Sequence, residues 1–311
     1  MPDQASKAVL LTPQALAFIH RVLGAEESDL RDVVATQAGM TNRSFRFSWG
    51  SHSYILRVPG EGTDQLINRR QEAAVYAALA GDPITDEVLA LDPETGYKLT
   101  KFWPSTHNCD PNNPMEVRQC MVLLRQFHEK ALQVPHSFQL YREISFYESL
   151  RQGPSVYPDY DEVRLRCFAM GPFLRRQNPR QVLSHIDAVS DNFLFVHTDT
   201  GQELHLIDWE YAGMHDPHVD IAMFAIYAGY DRDQIDQLID WYFGKVCPDL
   251  LRLKIYCYVA LAGLLWSNWC EYKKALGVEF GGYALMQYRY ASEYSSLFSA
   301  LIPKYSGGSQ T

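Results

Sequence analysis

The stretch from Val182 to Asp220, VLSHIDAVSDNFLFVHTDTGQELHLIDWEYAGMHDPHVD, constrains this chain more than any other. It sets polar, chemically capable residues between short apolar runs, the pattern of a loop carrying reactive groups on a rigid core. His185, Asp187 and Asn192 come first, as H-x-D-x-x-x-x-N, and the run Phe193 to Val196 follows directly. The turn signal Thr198-Asp199-Thr200-Gly201 separates it from a second run, Leu204 to Ile207, which ends on Asp208. A β-hairpin flanked by two acidic residues is the simplest reading. Asp187 and Asp208 then emerge near the same end of two paired strands, with Asn192 between them. Two carboxylates and an amide converging there suit Mg²⁺, which takes hard oxygen ligands and keeps waters and substrate phosphates in its shell. The order and spacing are those of phosphoryl transfer, with a loop Asp for the attacking hydroxyl, an Asn five residues on for metal and a second Asp beyond a strand.

The segments HIDAVSDNFL and LIDWEYAGMHDPHVDIA resemble the choline/ethanolamine kinase branch of the aminoglycoside-phosphotransferase-like kinases, the bacterial choline kinases in particular. The resemblance runs from about Gln37 to Tyr294. It implies an α+β, bilobal protein-kinase-like fold and transfer of the γ-phosphate of ATP to a small hydroxyl compound. Residue by residue it implies that Asp187 is the catalytic base, that Asn192 and Asp208 are the Mg²⁺ ligands, that His185 anchors the loop and that Asp220 braces it from the next helix.

A chain of 311 residues with 47% hydrophobic content suffices for one large domain or two lobes. Net charge −9, with no basic run, argues against a nucleic-acid partner. The six cysteines show no C-x-x-C pairing and no His at zinc spacing, so they read as reduced core thiols of a cytoplasmic protein. The first residues lack a signal-peptide pattern, and the longest apolar run, Ile255 to Trp266, is too short to span a bilayer. No membrane or protein partner is expected.

Thr12-Pro13 reads as the start of a helix with Leu16, Ile19, Val22 and Leu23 on one face. A strand from Asp32 to Thr36 follows. Phe45, Phe47 and Trp49 then alternate with polar residues, Gly50-Ser51-His52 turns, and Tyr54 to Val58 returns. Strands at 87–91 and 97–103 complete a five-stranded antiparallel sheet. The first turn of this meander, Gly39-Met40-Thr41-Asn42, can bring backbone amides and two polar side chains against phosphates, and a similar G-x-T-N turn covers the nucleotide in the family resembled. Arg57 stands where many kinases carry a phosphate-binding lysine and where choline kinases resemble this chain in having arginine, with Glu72, on a helix from about 64 to 79, as its ion-pair partner. Lys101 and Phe102 begin a hinge whose backbone reads adenine. The Pro/Asn-rich stretch after Trp103 marks the boundary between an N-terminal nucleotide-binding lobe, 1–103, and a helical lobe, 104–311. That second lobe opens on an amphipathic helix bearing Val117, Cys120, Met121, Leu124 and Phe127, on which His128 reads as a packed histidine rather than a ligand.

Trp266 and Trp269 lie on one face of a buried helix. The segment around them resembles the choline-kinase C-terminus, whose W-x-x-W pair cages a quaternary ammonium. Such a group lacks N–H donors and is held by π-faces and carboxylates. Tyr211 resembles a further wall of that cage. Tyr227, Tyr230, Trp241 and Tyr283 are secondary candidates whose first reading is core. Eukaryotic choline kinases carry an acidic residue near the position of Tyr227, so the carboxylate that faces the ammonium stays open here. The expected activity is ATP- and Mg²⁺-dependent phosphorylation of choline. The alternatives are a kinase for ethanolamine, thiamine or an aminoglycoside, and a catalytically silent nucleotide-binding module.

Overall fold

The computed structural model describes residues 11–36, 42–60, 67–151 and 153–306. In chain order its first elements are α1 (Pro13–Leu23), β1 (Arg31–Ala35), β2 (Asn42–Trp49), β3 (His52–Pro59), α2 (Arg69–Ala78), β4 (Val88–Leu91), β5 (Lys98–Lys101) and β6 (Thr106–Asn108). Next come α3 (Pro114–Glu129), α4 (Leu140–Leu150), α5 (Tyr160–Ala169), α6 (Gly171–Arg176), β7 (Val182–Ser184), β8 (Phe193–Thr198) and β9 (Gly201–Leu206). The chain continues through β10 (Gly213–His215), α7 (His218–Ala228), α8 (Arg232–Phe243), α9 (Asp249–Ala275), α10 (Gly282–Leu301) and α11 (Pro303–Ser306).

The chain divides into two compact units, one of residues 1–108 with 194–211, the other of 109–193 with 212–311. A single break after Trp103 would leave the β8–β9 hairpin with the helices. Strand pairing places it otherwise. β6 pairs antiparallel with β8, Asn108 opposite Leu194, and the Leu206 N–H donates to the Ile84 carbonyl at 2.6 Å, so the hairpin joins the first unit.

In the first unit, the Thr12 hydroxyl accepts the Ala15 N–H at 3.2 Å and Pro13 fills the first turn, which starts α1. Gly24, at φ 72°, closes the helix in a left-handed conformation that costs glycine nothing. The sheet has the order β1-β2-β3-β5-β4. The alternation of β2 buries Phe45 and Phe47 together with Leu56, Leu99, Phe18 and Ile19. β2 and β3 are joined across Trp49 opposite His52. Asn68 caps α2 by accepting the Gln71 N–H.

The second unit is organised around α9, a 27-residue helix with α4, α5, α7 and α10 packed on it. By length and composition α9 could cross a membrane, which the twelve-residue estimate from the sequence missed. However, 78% of its most apolar window is buried inside the protein, as in a core helix. All six cysteines are free and buried. β7 pairs antiparallel with β10, Ser184 opposite Gly213, which fixes where the following loop begins.

α9 and α10 approach closely at Gly263, where an added Cβ would lie 2.6 Å from the Gln287 carbonyl oxygen and 2.8 Å from the Tyr290 Cβ. Gly263→Ala would gain about 1 kcal/mol in helix propensity. The clash is with backbone and a Cβ, which cannot swing aside, and overpacking costs about 1–3 kcal/mol. The variant should therefore unfold at lower urea concentration than wild type. An equal or higher midpoint would show that the two helices can separate without penalty.

Candidate active site

In the helical unit, β7 delivers the chain into His185, whose N–H donates to Asp220 Oδ2 at 2.8 Å; the Ile186 N–H donates to Asp220 Oδ1 at 2.7 Å. Two consecutive amides can aim at one carboxylate only if the backbone between them turns sharply, and Ile186 takes φ 70°. For a β-branched residue that conformation is costly and survives only where its surroundings enforce it. Asp220, on the first turn of α7, is fully buried and also bonds His128 Nε2 at 2.9 Å, while His128 Nδ1 meets the Tyr242 hydroxyl at 2.8 Å. The loop thus rests on α7, α3 and α8 together. Immediately after it stands the half-buried Asp187. Asn192 Nδ2 donates to both the Asp187 carbonyl at 2.8 Å and its Oδ2 at 3.1 Å. An amide that gives its N–H groups to Asp187 turns its oxygen away from that carboxylate, available to a cation.

In the strand-rich unit, β9 runs into Asp208 at φ 66°, and the turn is pinned by Trp209, fully buried, whose Nε1–H donates to the Leu206 carbonyl at 2.8 Å. Arg57 is buried and forks onto Glu72, Nη1 to Oε1 at 2.5 Å and Nη2 to Oε2 at 2.8 Å. Its Nη1 also lies 3.6 Å from Asp208 Oδ1 and 3.6 Å from Glu210 Oε2. Burial alone would lower its pKa, but the Glu72 hydrogen bonds and the Glu72, Asp208 and Glu210 charges outweigh it and raise it further. Oxygens of Glu72, Asp208 and Glu210 lie within 4.8 Å of one another. Glu72 and Glu210 are engaged by arginine, whereas Asp208 Oδ1 has no hydrogen-bond partner among the described residues. A hard-oxygen set with one such acceptor fits a divalent cation of the Mg²⁺ type.

The structure departs from the sequence expectations at several positions. Gly39 and Thr41 lie outside the described residues. The Asn42 side chain, expected against phosphates, is instead buried: its Nδ2 donates to Glu210 Oε2 at 2.9 Å and its Oδ1 accepts from Arg69 at 3.2 Å. Arg69 bridges Glu72 at 3.1 Å and Glu210 at 3.2 Å. Arg57 gives its fork to Glu72, so it can offer a phosphate charge but not that bidentate edge. In the segment from Lys101 onward, whose backbone is expected to read adenine, the Lys101 and Phe102 N–H groups are used inside the sheet, donating to Glu87 and Ser53 carbonyls at 3.0 and 2.8 Å.

Arg69, Glu210 and the bond from His128 to Asp220 were not singled out from the sequence. The E of I-D-W-E was the available signal for Glu210.

Trp266 and Trp269 meet edge to face, with ring centroids 5.7 Å apart, in the helical unit. Both are buried, Trp269 to 2% exposure, and Trp266 Nε1 donates to Met223 Sδ. From Trp269 an aromatic series continues to Phe280 at 5.0 Å, Tyr283 and Tyr227. Tyr230 and Trp241 are not in it: Tyr230 is buried against Phe224, with its hydroxyl on the Pro111 carbonyl. Tyr211, half-buried, is the last residue of the strand-rich unit.

Burial pushes the Asp220 carboxyl up, but His128 and the backbone N–H of His185 outweigh it and hold it below its ordinary 3.8. A depressed carboxylate contributes stability that is complete above the unfolded value and lost as pH falls through the folded one. The stability gap between wild type and Asp220→Asn, read from urea midpoints, should therefore be constant near neutrality and shrink as pH drops below 3.8. A gap independent of pH would show that the carboxylate charge is not what holds the loop.

Residues 32–256 match the model of the phosphotransferase enzyme family. Protein LicA of Haemophilus influenzae is 26% identical over 262 residues, covering 79% of this chain and 75% of that protein. The crystal structure of choline kinase LicA from Streptococcus pneumoniae superposes with TM-score 0.77 at 27% identity, covering 90% of this chain and 97% of that one. A structure of LicA in complex with AMP gives TM-score 0.76 at 27% identity, covering 91% and 97%. The α+β class expected from the sequence is the class of these structures, and the chain belongs to the phosphotransferase enzyme family.

Proposed function

We propose that this protein is a choline kinase, transferring the γ-phosphate of ATP to the hydroxyl of choline to give phosphocholine and ADP. The observation that carries the reading is the loop in which Asp187 and Asn192 are locked together behind the Asp220 brace, in a unit that also holds the aromatic series from Trp266 to Tyr227. The likeness to choline kinase LicA supports the same acceptor, and the LicA complex with AMP supports an adenine nucleotide.

Asp187 orients the choline hydroxyl and takes its proton as the O–H bond breaks. The new O–P bond forms in line as the bond to the ADP oxygen breaks. Asn192 holds Asp187 through its amide nitrogen, and its oxygen together with Asp208 would hold Mg²⁺. That ion, when bound, supplies charge neutralisation on the phosphates. Arg57, kept cationic by Glu72, adds a fixed positive charge toward them. With the Lys101 and Phe102 N–H groups committed, adenine is read by the carbonyls of this segment. Tyr211, Trp266 and Trp269 are assigned to the trimethylammonium group. The six reduced thiols fit a cytoplasmic location.

ADP release measured with choline, ethanolamine, thiamine and kanamycin tests the assignment. Choline should give the highest kcat/KM, at least about tenfold over ethanolamine, since methyl packing worth roughly 1.4 kcal/mol is lost with the primary amine. Equal or better use of ethanolamine, or no acceptor-stimulated release, would overturn it.

A further inference from the structure

A cation held by aromatic faces still benefits from a nearby anion. Glu271, on α9 two residues past Trp269, is committed elsewhere: it accepts from Arg151 at 2.8 Å, the Ser155 hydroxyl at 2.9 Å and the Val156 N–H at 2.7 Å. Asp187 is required at the hydroxyl end of the acceptor. Asp191, four residues later in the same loop, is exposed and receives a 2.5 Å hydrogen bond from the Tyr227 hydroxyl on α7. The Tyr227 ring packs edge to face on Tyr283 at 6.2 Å, and Tyr283 leads through Phe280 to Trp269. The half-buried Tyr227 therefore stands at one end of the aromatic series, beside Asp191, and the buried Trp266 and Trp269 stand at the other.

We infer that Asp191, fixed by the Tyr227 hydroxyl, is the carboxylate that meets the positive charge of the acceptor, with Tyr227 and Tyr283 as the adjoining aromatic walls. The inference rests on the choline-kinase reading and deepens it. Choline carries its cation two carbons from its hydroxyl, so it needs a base at one end and an anion at the other, and one loop supplies both. Burial, then the Asp191 carboxylate and to a lesser degree Asp187, raise the Tyr227 phenol above its ordinary range, so it remains a donor. Tyr227 acts as a positioning residue: an aspartate on a one-turn 3₁₀ segment would otherwise sample many rotamers in water.

The test compares choline with its uncharged carbon isostere, 3,3-dimethylbutan-1-ol, as acceptors or as competing ligands for the wild type, Asp191→Asn, Tyr227→Phe and the double variant. The ratio of kcat/KM, or of Ki, between the two is taken within one enzyme preparation, so it does not depend on the fraction folded. Asp191→Asn should lower the preference for choline by about tenfold. Tyr227→Phe should lower it by about threefold and have no further effect once Asp191 is Asn, the coupling expected of one hydrogen-bonded unit. An unchanged preference in Asp191→Asn, in a wild type that does phosphorylate choline, overturns this inference and leaves the proposed function standing. Full additivity of the two substitutions overturns the positioning role of Tyr227. A wild type that does not phosphorylate choline overturns the proposed function, and this inference with it.

Discussion

The Asp220 carboxylate, fully buried and bonded by two consecutive backbone N–H groups, is the interaction on which the loop bearing Asp187 and Asn192 depends. A buried carboxylate is expensive unless its lone pairs are satisfied. Here the satisfaction comes from the loop itself and from His128, so the hydrogen bonds that offset both the cost of burying Asp220 and the strain at Ile186 form only when the loop has this shape. Asp187 follows directly, so its position is set by how Asp220 holds the two residues before it. Tyr242 extends the bracing to α8 through His128, so three helices share responsibility for one aspartate.

The strand-rich unit solves a related problem with opposite emphasis. Glu72, Glu210 and Asp208 bring three carboxylates close together against the two guanidinium groups of Arg57 and Arg69. Buried like charges are tolerable only with such pairing. Burial and then Asp208 raise the Glu210 carboxyl despite its partners, as expected of a cluster that holds one carboxylate more than its two guanidinium groups balance. The excess negative charge sits where Asp208 leaves β9 in a left-handed conformation with an oxygen uncommitted to any donor among the described residues. A bound divalent cation would complete that balance.

Much of this was legible in the sequence, and for identifiable reasons. Asp187 and Asn192 are five residues apart, so the turn that joins them is local and their spacing constrains their geometry. The five-stranded sheet announced itself through alternation in β2, and the hairpin through Thr198 to Gly201 between two apolar runs. What escaped was carried by distant contacts. Asn42 reaches Glu210 across 168 positions, Arg69 reaches Glu210 across 141, and His128 reaches Asp220 across 92. No periodicity encodes such pairings. Thus Asn42 looked like a phosphate contact, and His128 looked like packing. At Lys101 and Phe102 the limit is different: a strand pattern shows which residues pair but not where the pairing stops, and here it takes in both N–H groups.

The central claim is that Asp187, held by this scaffold, takes the proton from the acceptor hydroxyl. Single-turnover phosphoryl transfer to choline by Asp187→Asn, with ATP affinity measured on the same protein, tests it most directly. The account predicts a loss of roughly two to four orders of magnitude in the transfer rate with ATP binding close to wild type, since the substitution keeps the shape and removes only the base. A transfer rate near that of wild type would contradict it.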